Sequence, residues 1–309
     1  MENSRIVVLL PCFNEALTIT KVISDFRKAI PSAKIYVFDN SSIDNSVELA
    51  LSAGANVCHV QQQGKGNVVR NMFREIDADV YIMVDTDDTY PAEEVEKLIR
   101  PILAHEADMV TGDRLSASYY TENKRFGHNF GNALVCWLAT VLWKCKIKDV
   151  MTGYRAFSKR FVKNCPILSE GFEIETEITL HALDKRLRIL EIPVSYRDRP
   201  SGSVSKLHTF RDGYRVLITI FNTFRHYRPL AFFGYIGFFL LLCGGFLSVP
   251  VFSEYFQTGL VPRLPTLVFS TFLLLSGLVS WAVALILDAL KKQSDREYEL
   301  KLMEYTEKY

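Results

Sequence analysis

Two stretches of this chain, Leu230 to Phe252 and Leu264 to Leu287, contain no charged side chain. As helices each is long enough to cross a bilayer, whose apolar core needs roughly 20 residues and admits only backbone that satisfies its own hydrogen bonds. Two buried core helices of this length would need a far larger surrounding protein than 309 residues supply. Two spans return both flanks to the same side. Arg225, His226 and Arg228 precede the first stretch and Lys291 and Lys292 follow the second, whereas the connecting loop holds Glu254 and Arg263. That cation bias places both flanks in the cytoplasm. The expected organisation is a cytoplasmic body over 1–210, an amphipathic juxtamembrane helix over 211–229, a span over 230–252, a short external loop over 253–263, a second span over 264–287 and a cytoplasmic tail over 288–309.

The juxtamembrane expectation rests on Val216, Leu217, Ile220, Phe221 and Phe224, which share one helical arc, while Arg211, Arg215, Asn222 and Arg225 lie largely outside it. Such a helix suits the headgroup level or packs on the body. Thirty-six Lys+Arg against thirty-five Asp+Glu leave a net charge of +1, which argues against nucleic acid as a partner. The six cysteines form no C-x-x-C pair and the histidines no H-E-x-x-H spacing, so neither a zinc nor a redox site is indicated. The apolar run Ile6 to Leu10 is too short for the core of a secretory signal.

Within the body, apolar strands are expected at Ile6 to Leu10, Lys34 to Phe38, Asn56 to Val60 and Val80 to Val84. Helical patterns separate them, at about Ala16 to Ile30, Ser42 to Ala53 and Lys65 to Ile76. The alternation predicts an α/β fold with a mainly parallel sheet covered on both faces. Ligands of such sheets bind beyond the carboxyl ends of the strands.

The polar residues gather at that edge. Pro11, Asn14 and Glu15 follow the first strand, Asp39, Asn40, Ser42 and Asp44 the second, and Asp85 and Asp87 the fourth, while Gly64-Lys65-Gly66 opens the third helix. Two neighbouring carboxylates repel unless a cation lies between them, and Mg²⁺ or Mn²⁺ prefers carboxylate and phosphate oxygens. Asp85 and Asp87 therefore read as holders of a divalent metal and a diphosphate, with an N-cap for the following helix as the bland alternative. Lys65 and Arg70 suit phosphate oxygens, although a plain turn before a helix explains the glycines equally well. Asp39 suits a base or ribose hydroxyl, or a cap.

In order along the chain, Pro11 to Glu15, Asp39 to Asp44, Gly64-Lys65-Gly66, Asp85-Thr86-Asp87, Asp149 to Arg155 and Gly202 to Leu207 resemble the GT-A glycosyltransferases of family 2. More narrowly they resemble the polyisoprenyl-phosphate glycosyltransferases, of the dolichol-phosphate mannose synthase and bacterial GtrB type, and the two C-terminal spans match the GtrB-type architecture. The resemblance implies a Rossmann-like GT-A domain and inverting transfer of one sugar from a nucleotide sugar to a polyprenyl phosphate such as undecaprenyl phosphate. It implies that Pro11, Asn14, Glu15 and Asp39 hold the nucleoside, and that Asp85 and Asp87 hold metal and diphosphate, Asp87 being counted as catalytic. It further implies that Arg114 and Arg125 meet the acceptor phosphate, with Arg199 and Lys206 closing over phosphate groups. The expected donor is UDP-glucose or UDP-N-acetylglucosamine, with GDP-mannose as the alternative. The chain departs from the family pattern around Asn129, where a serine-like acceptor contact is replaced or shifted.

A phosphate monoester has its second pKa near ~6 and is already largely a dianion at neutral pH, so a dedicated general base is optional. Asp149 thus reads three ways: as a base, as an orienter of the acceptor or of an arginine, or as a cap before Thr152-Gly153. Phe126 to Trp143 reads as an interfacial helix guiding the prenyl chain or as core packing. Two rival functions are weaker. A processive polysaccharide synthase usually has more spans and a Q-x-x-R-W motif, and a catalytically dead scaffold has no need of two uncompensated carboxylates. Two spans make a small membrane anchor, which a homo-oligomer would widen.

Overall fold

The computed structural model describes residues 4–115, 126–197, 200, 218, 221–222 and 224–308. The chain divides into two compact units, Met1–Val216 and Leu217–Tyr309.

The first unit is built on strands β1 (Ile6–Cys12), β2 (Lys34–Asp39), β3 (Asn56–His59), β4 (Val80–Met83), β5 (Met109–Asp113), β6 (Arg155–Ser158) and β7 (Ile189–Pro193). They form one seven-stranded sheet in the order β3-β2-β1-β4-β6-β5-β7. β1 pairs in parallel with β2 and β4, as β2 does with β3 and β5 with β7. β6 runs antiparallel to both β4 and β5. The expectation of a mainly parallel sheet holds, with this one inverted strand.

The helices are α1 (Ile19–Ala29), α2 (Ser46–Ser52), α3 (Lys65–Glu75), α4 (Val95–Leu103), α5 (Phe126–Trp143), α6 (Lys159–Asn164) and α7 (Ile174–Asp184). The period-two alternation of β1 explains their distribution. Val8, Leu10 and Cys12 face a core shared with Ile19, Val22, Ile23 and Phe26 of α1 and with Leu98 and Ile102 of α4. Val7 and Leu9 face the other core, with Val68, Val69 and Met72 of α3 and Ile174 and Ile178 of α7. Covered on both sides, the sheet opens to solvent chiefly at its strand ends.

The second unit is a pair of long helices, α8 (Pro229–Thr258) and α9 (Leu264–Lys308). Both are long and apolar enough to cross a membrane. They run further than the apolar stretches alone suggest. α8 continues through Glu254 to its left-handed cap at Gly259 (φ 66°), and α9 continues unbroken into the charged segment beyond Leu287. They pack closely because a Cβ at Gly237, Gly244 or Gly277 would overlap Trp281, Leu274 or Leu241 of the facing helix. The Ser280 hydroxyl also donates to the Phe233 carbonyl at 2.8 Å. Most of the expected 211–229 helix lies outside the described residues; those described at 224–227 are helical, and the rings of Phe221 and Phe224 both meet Phe232 edge-on.

Candidate functional site

The loops after β1 and β2 are laced together. Asn14, held at φ 53°, receives the Ile43 backbone N–H on its Oδ1 at 2.8 Å and donates its own backbone N–H to Ser42 Oγ at 2.9 Å. The Glu15 backbone donates to Ser46 Oγ at 2.8 Å, and the Ala16 backbone donates to Asp44 Oδ2 at 3.1 Å. Burial opposes the charge of Asp44, but donors from Ser46 and Ala16 outweigh it and hold the carboxyl below its usual range. Asn14 and Asp44 thus build the rim in which Asp39 is set. Asp39, last in β2 and buried, accepts the Ser42 N–H at 3.2 Å and lies 3.3 Å from His59 Nδ1. The Pro11 carbonyl accepts the Thr86 hydroxyl at 2.9 Å, which ties the end of β1 to the loop carrying the acidic pair.

Asp85 and Asp87 sit just past β4 and differ in environment. Asp87 is buried, and its Oδ1 accepts the Thr89 hydroxyl at 2.6 Å and the Thr89 N–H at 3.3 Å. Asp85 Oδ1 is 2.5 Å from Lys65 Nζ, whose other partner is Glu175 Oε1, also at 2.5 Å. Burial opposes the Lys65 charge, yet the two carboxylates outweigh it and raise the ammonium above its ordinary value. The expectation of an uncompensated acidic pair is therefore corrected, because Asp85 has a resident cation. Gly153 lies directly against Asp85, where any Cβ would overlap the carboxylate.

Lys65 begins α3 between two glycines whose missing side chains matter. At Gly64 (φ 124°) and at Gly66 a Cβ would overlap the carbonyls of Glu170 and Ser169. The Gly66 N–H donates to the Glu170 carbonyl at 3.0 Å. Arg70 is also corrected, since its guanidinium donates to the Ile167, Leu168 and Ser169 carbonyls and to Asn67 Oδ1 rather than facing a phosphate site.

At the end of β5, Arg114 and Asp149 form a buried fork, with Nε to Oδ2 at 2.7 Å and Nη2 to Oδ1 at 3.0 Å. The Asp149 carboxylate also accepts the Met151 N–H at 3.2 Å, and its own N–H donates to Glu191 Oε1 at 3.2 Å. The Arg114 guanidinium lies over the Tyr196 ring, 5.5 Å from its centroid. Tyr196 meets Tyr90 edge-on, and the Tyr90 hydroxyl accepts the Gly153 N–H at 3.0 Å. Burial pushes the Tyr196 phenol up, Arg114 pulls it down, and Asp87 and Asp85 push it up again. Tyr90 and Tyr196 thus link the arginine to Gly153, which lies against Asp85.

The structure brings Asn14, Glu15, Asp39, Lys65, Asp85 and Asp87 to the strand-end edge, with Arg114 and Asp149 beside Tyr196. Arg125, Arg199 and Lys206 lie outside the described residues. Neither Glu175 nor Tyr196 is singled out by the sequence patterns. Glu173, Glu175 and Glu177 look alike in sequence, but Glu173 receives the Gly171 N–H, Glu177 receives those of Leu168 and Ser169, and Glu175 alone reaches Lys65.

Residues 7–165 match the family described as Glycosyl transferase family 2. The chain is 31% identical over 303 residues to Glycosyltransferase AglJ of Haloferax volcanii, covering 96% of this chain and 98% of that one. It is 27% identical over 208 residues to a Dolichyl-phosphate hexose transferase of the same organism, covering 67% of this chain and 89% of the relative. Among solved structures it resembles glucosyl-3-phosphoglycerate synthase of Mycobacterium tuberculosis, in a complex with Mn²⁺, UDP-glucose and phosphoglyceric acid. The TM-score there is 0.57 at 20% identity, over 73% of this chain and 80% of that one, a likeness of fold.

Proposed function

The chain belongs to glycosyl transferase family 2 and is a glycosyltransferase, and from that premise we propose that it transfers one hexose, with inversion, from a nucleotide sugar to a polyprenyl phosphate at the cytoplasmic face of a membrane. The observation that carries this reading is the chain of contacts from an acidic strand end to a locked arginine: Gly153 lies against Asp85, its N–H donates to the Tyr90 hydroxyl, and Tyr90 meets Tyr196, over which the Arg114 guanidinium lies. A nucleoside diphosphate suits the strand end and a phosphate monoester the arginine. Two helices long and apolar enough to cross a membrane support an acceptor that resides there, and a relative sharing most of its length with this chain is named Dolichyl-phosphate hexose transferase.

Asp85 and Asp87 fit a hard divalent ion, Mg²⁺ or Mn²⁺. Among the described residues no three His, Cys, Asp or Glu side chains gather as a complete ligand set, so the diphosphate and water would supply the remaining oxygens. When bound, the ion would neutralise the departing nucleoside diphosphate. Pro11, Asn14, Glu15 and Asp39 line the nucleoside end, and Asp39 offers a carboxylate to base or ribose. Asp149 accepts both arms of the Arg114 fork and so orients it rather than serving as a base, which a dianionic acceptor does not require. The family resemblance assigns the remaining phosphate contacts to Arg125, Arg199 and Lys206, which lie outside the described residues. The donor read best is UDP-glucose or UDP-N-acetylglucosamine, with GDP-mannose second.

The test incubates the purified full chain with Mg²⁺, labelled nucleotide sugars and undecaprenyl phosphate, and counts label in the organic phase. Transfer should be abolished by EDTA and should fall about 10²-fold or more in Asp87→Asn, the order lost when a transition-state charge partner is removed. No label in lipid with any donor overturns the function, and full activity in EDTA overturns the metal.

A further inference from the structure

Lys65 holds the position on Asp85 that a metal ion would contest. Its ammonium bridges Asp85 and Glu175 at 2.5 Å each, and side-chain exposure falls from 27% at Asp85 to 11% at Lys65 and 7% at Glu175. The outermost member of this triad is therefore the carboxylate assigned to the metal, and the innermost is Glu175. Glu175 is held independently of Lys65. Its carbonyl accepts Arg155 Nη2 at 3.1 Å and the Thr179 hydroxyl at 2.8 Å, while Glu177 and Arg70 fasten the preceding loop to α7 and α3.

We propose that Lys65 is a resident counter-ion which keeps Asp85 compensated in the empty site and passes from Asp85 to the diphosphate when donor and metal arrive together, Glu175 being the anchor that keeps it within reach. The inference rests on the functional reading above and concerns the order in which that site fills. A divalent ion arriving alone must displace an ammonium already at hydrogen-bond distance, so it binds weakly. A nucleoside diphosphate carries charge for both cations, and the flexible lysine stem lets the ammonium move while Glu175 retains it. Metal and nucleotide then strengthen each other's binding, and by linkage the two enhancements are equal. Glu175 is a positioning residue in this scheme, since it touches Lys65 and neither the metal nor the reacting atoms.

Direct Mn²⁺ binding to the full chain in detergent, followed by electron paramagnetic resonance with and without UDP or GDP, tests this without turnover. Lys65→Met should bind Mn²⁺ alone about tenfold tighter than the unaltered chain, the order expected from losing one close like charge at a partly exposed site. The gain conferred by the nucleotide should shrink by a similar factor. Glu175→Gln should act in the opposite direction on Mn²⁺ alone, because Lys65 is then left to Asp85 and the triad loses its net negative charge. Unchanged or weaker Mn²⁺ binding in Lys65→Met overturns the inference and leaves the functional reading intact. Should Lys65→Met fail to fold, unchanged or tighter binding in Glu175→Gln overturns it equally. An unaltered chain that binds no Mn²⁺ even with either nucleotide overturns the inference together with the metal assignment.

Discussion

At the scale of single residues, Arg155 shows how far the site depends on a side chain that touches no ligand. It is fully buried at the start of β6, and its guanidinium donates to the Thr152 carbonyl at 2.9 Å, the Val150 carbonyl at 2.6 Å and the Glu175 carbonyl at 3.1 Å. A fourth donor reaches the Thr179 hydroxyl at 2.9 Å. Burial lowers its proton affinity while Glu175 and Asp149 support its charge, and a guanidinium remains protonated in such surroundings. One residue thereby fixes both the segment that carries Asp149 and Gly153 and the helix start that carries Glu175. Arg155→Met strands buried carbonyls at about 1–3 kcal/mol each, so a total loss of about 3–5 kcal/mol is expected. Thermal unfolding in detergent should register it as a lowered Tm, with Arg155→Lys restoring only part, since an ammonium lacks the fork. A Tm equal to that of the unaltered chain refutes this role. The position was legible as part of the Asp149 to Arg155 stretch but its burial was not, because arginine is ordinarily a surface residue. Likewise Lys65 was visible in sequence whereas its partner Glu175, supplied by a distant helix, was not.

At the scale of elements, the first four strands and three helices were readable because alternation, apolar runs and turn residues agree there. Their observed ends differ from expectation by only a few residues, the helix starting at Ser46 rather than Ser42 because Asp44 folds the preceding residues into a turn by accepting from the Ser46 backbone and hydroxyl. Beyond β4 the signal fades. β6 is four residues long, begins with a charged residue and runs against its neighbours, so neither periodicity nor the parallel pattern marks it. The far edge of the sheet depends on charge as well as apolar packing. Buried Asp108 accepts the Arg188 N–H at 3.0 Å and Arg188 Nε at 3.1 Å, joining the entries to β5 and β7. Burial opposes the Asp108 charge, but Arg188 outweighs it and lowers the carboxyl below its ordinary value. A carboxyl depressed in the folded state contributes stability above its unfolded pKa of about 3.9, and loses that contribution as pH falls through the folded value. Asp108→Asn should therefore destabilise the first unit by about 1.5–3 kcal/mol at pH 7, and the difference from the unaltered chain should shrink once the pH falls below about 4. Denaturant midpoints measured across that range check it, and a difference independent of pH would assign the loss to packing instead.

At the scale of the whole molecule, the proposed reaction requires that a water-soluble nucleotide sugar and a membrane-bound phosphate meet on one side of the bilayer. An even number of crossings satisfies this. Two crossings by α8 and α9, which their length and apolar character allow, would put the segments before Pro229 and beyond Leu287 on one side and the turn between Gly259 and Arg263 on the other. The flanking cations Arg225, His226, Arg228, Lys291 and Lys292 predict that the first of these sides is cytoplasmic, since cations flanking short spans are retained there. The two apolar helices were the most legible feature of the chain, because lack of charge over a span's length is a local property that needs no knowledge of tertiary contacts. Cysteine labelling tests it directly, counting only label that the parent chain lacks. Leu260→Cys, at an exposed position in the turn, should react with a membrane-impermeant maleimide in intact cells. Lys301→Cys, exposed near the end of α9, should react only after permeabilisation. The reverse pattern would invert the orientation and put the donor site away from cytoplasmic nucleotide sugars. Equal labelling of both from one side would mean that α9 does not cross the membrane, and the argument for a shared face would fail with it.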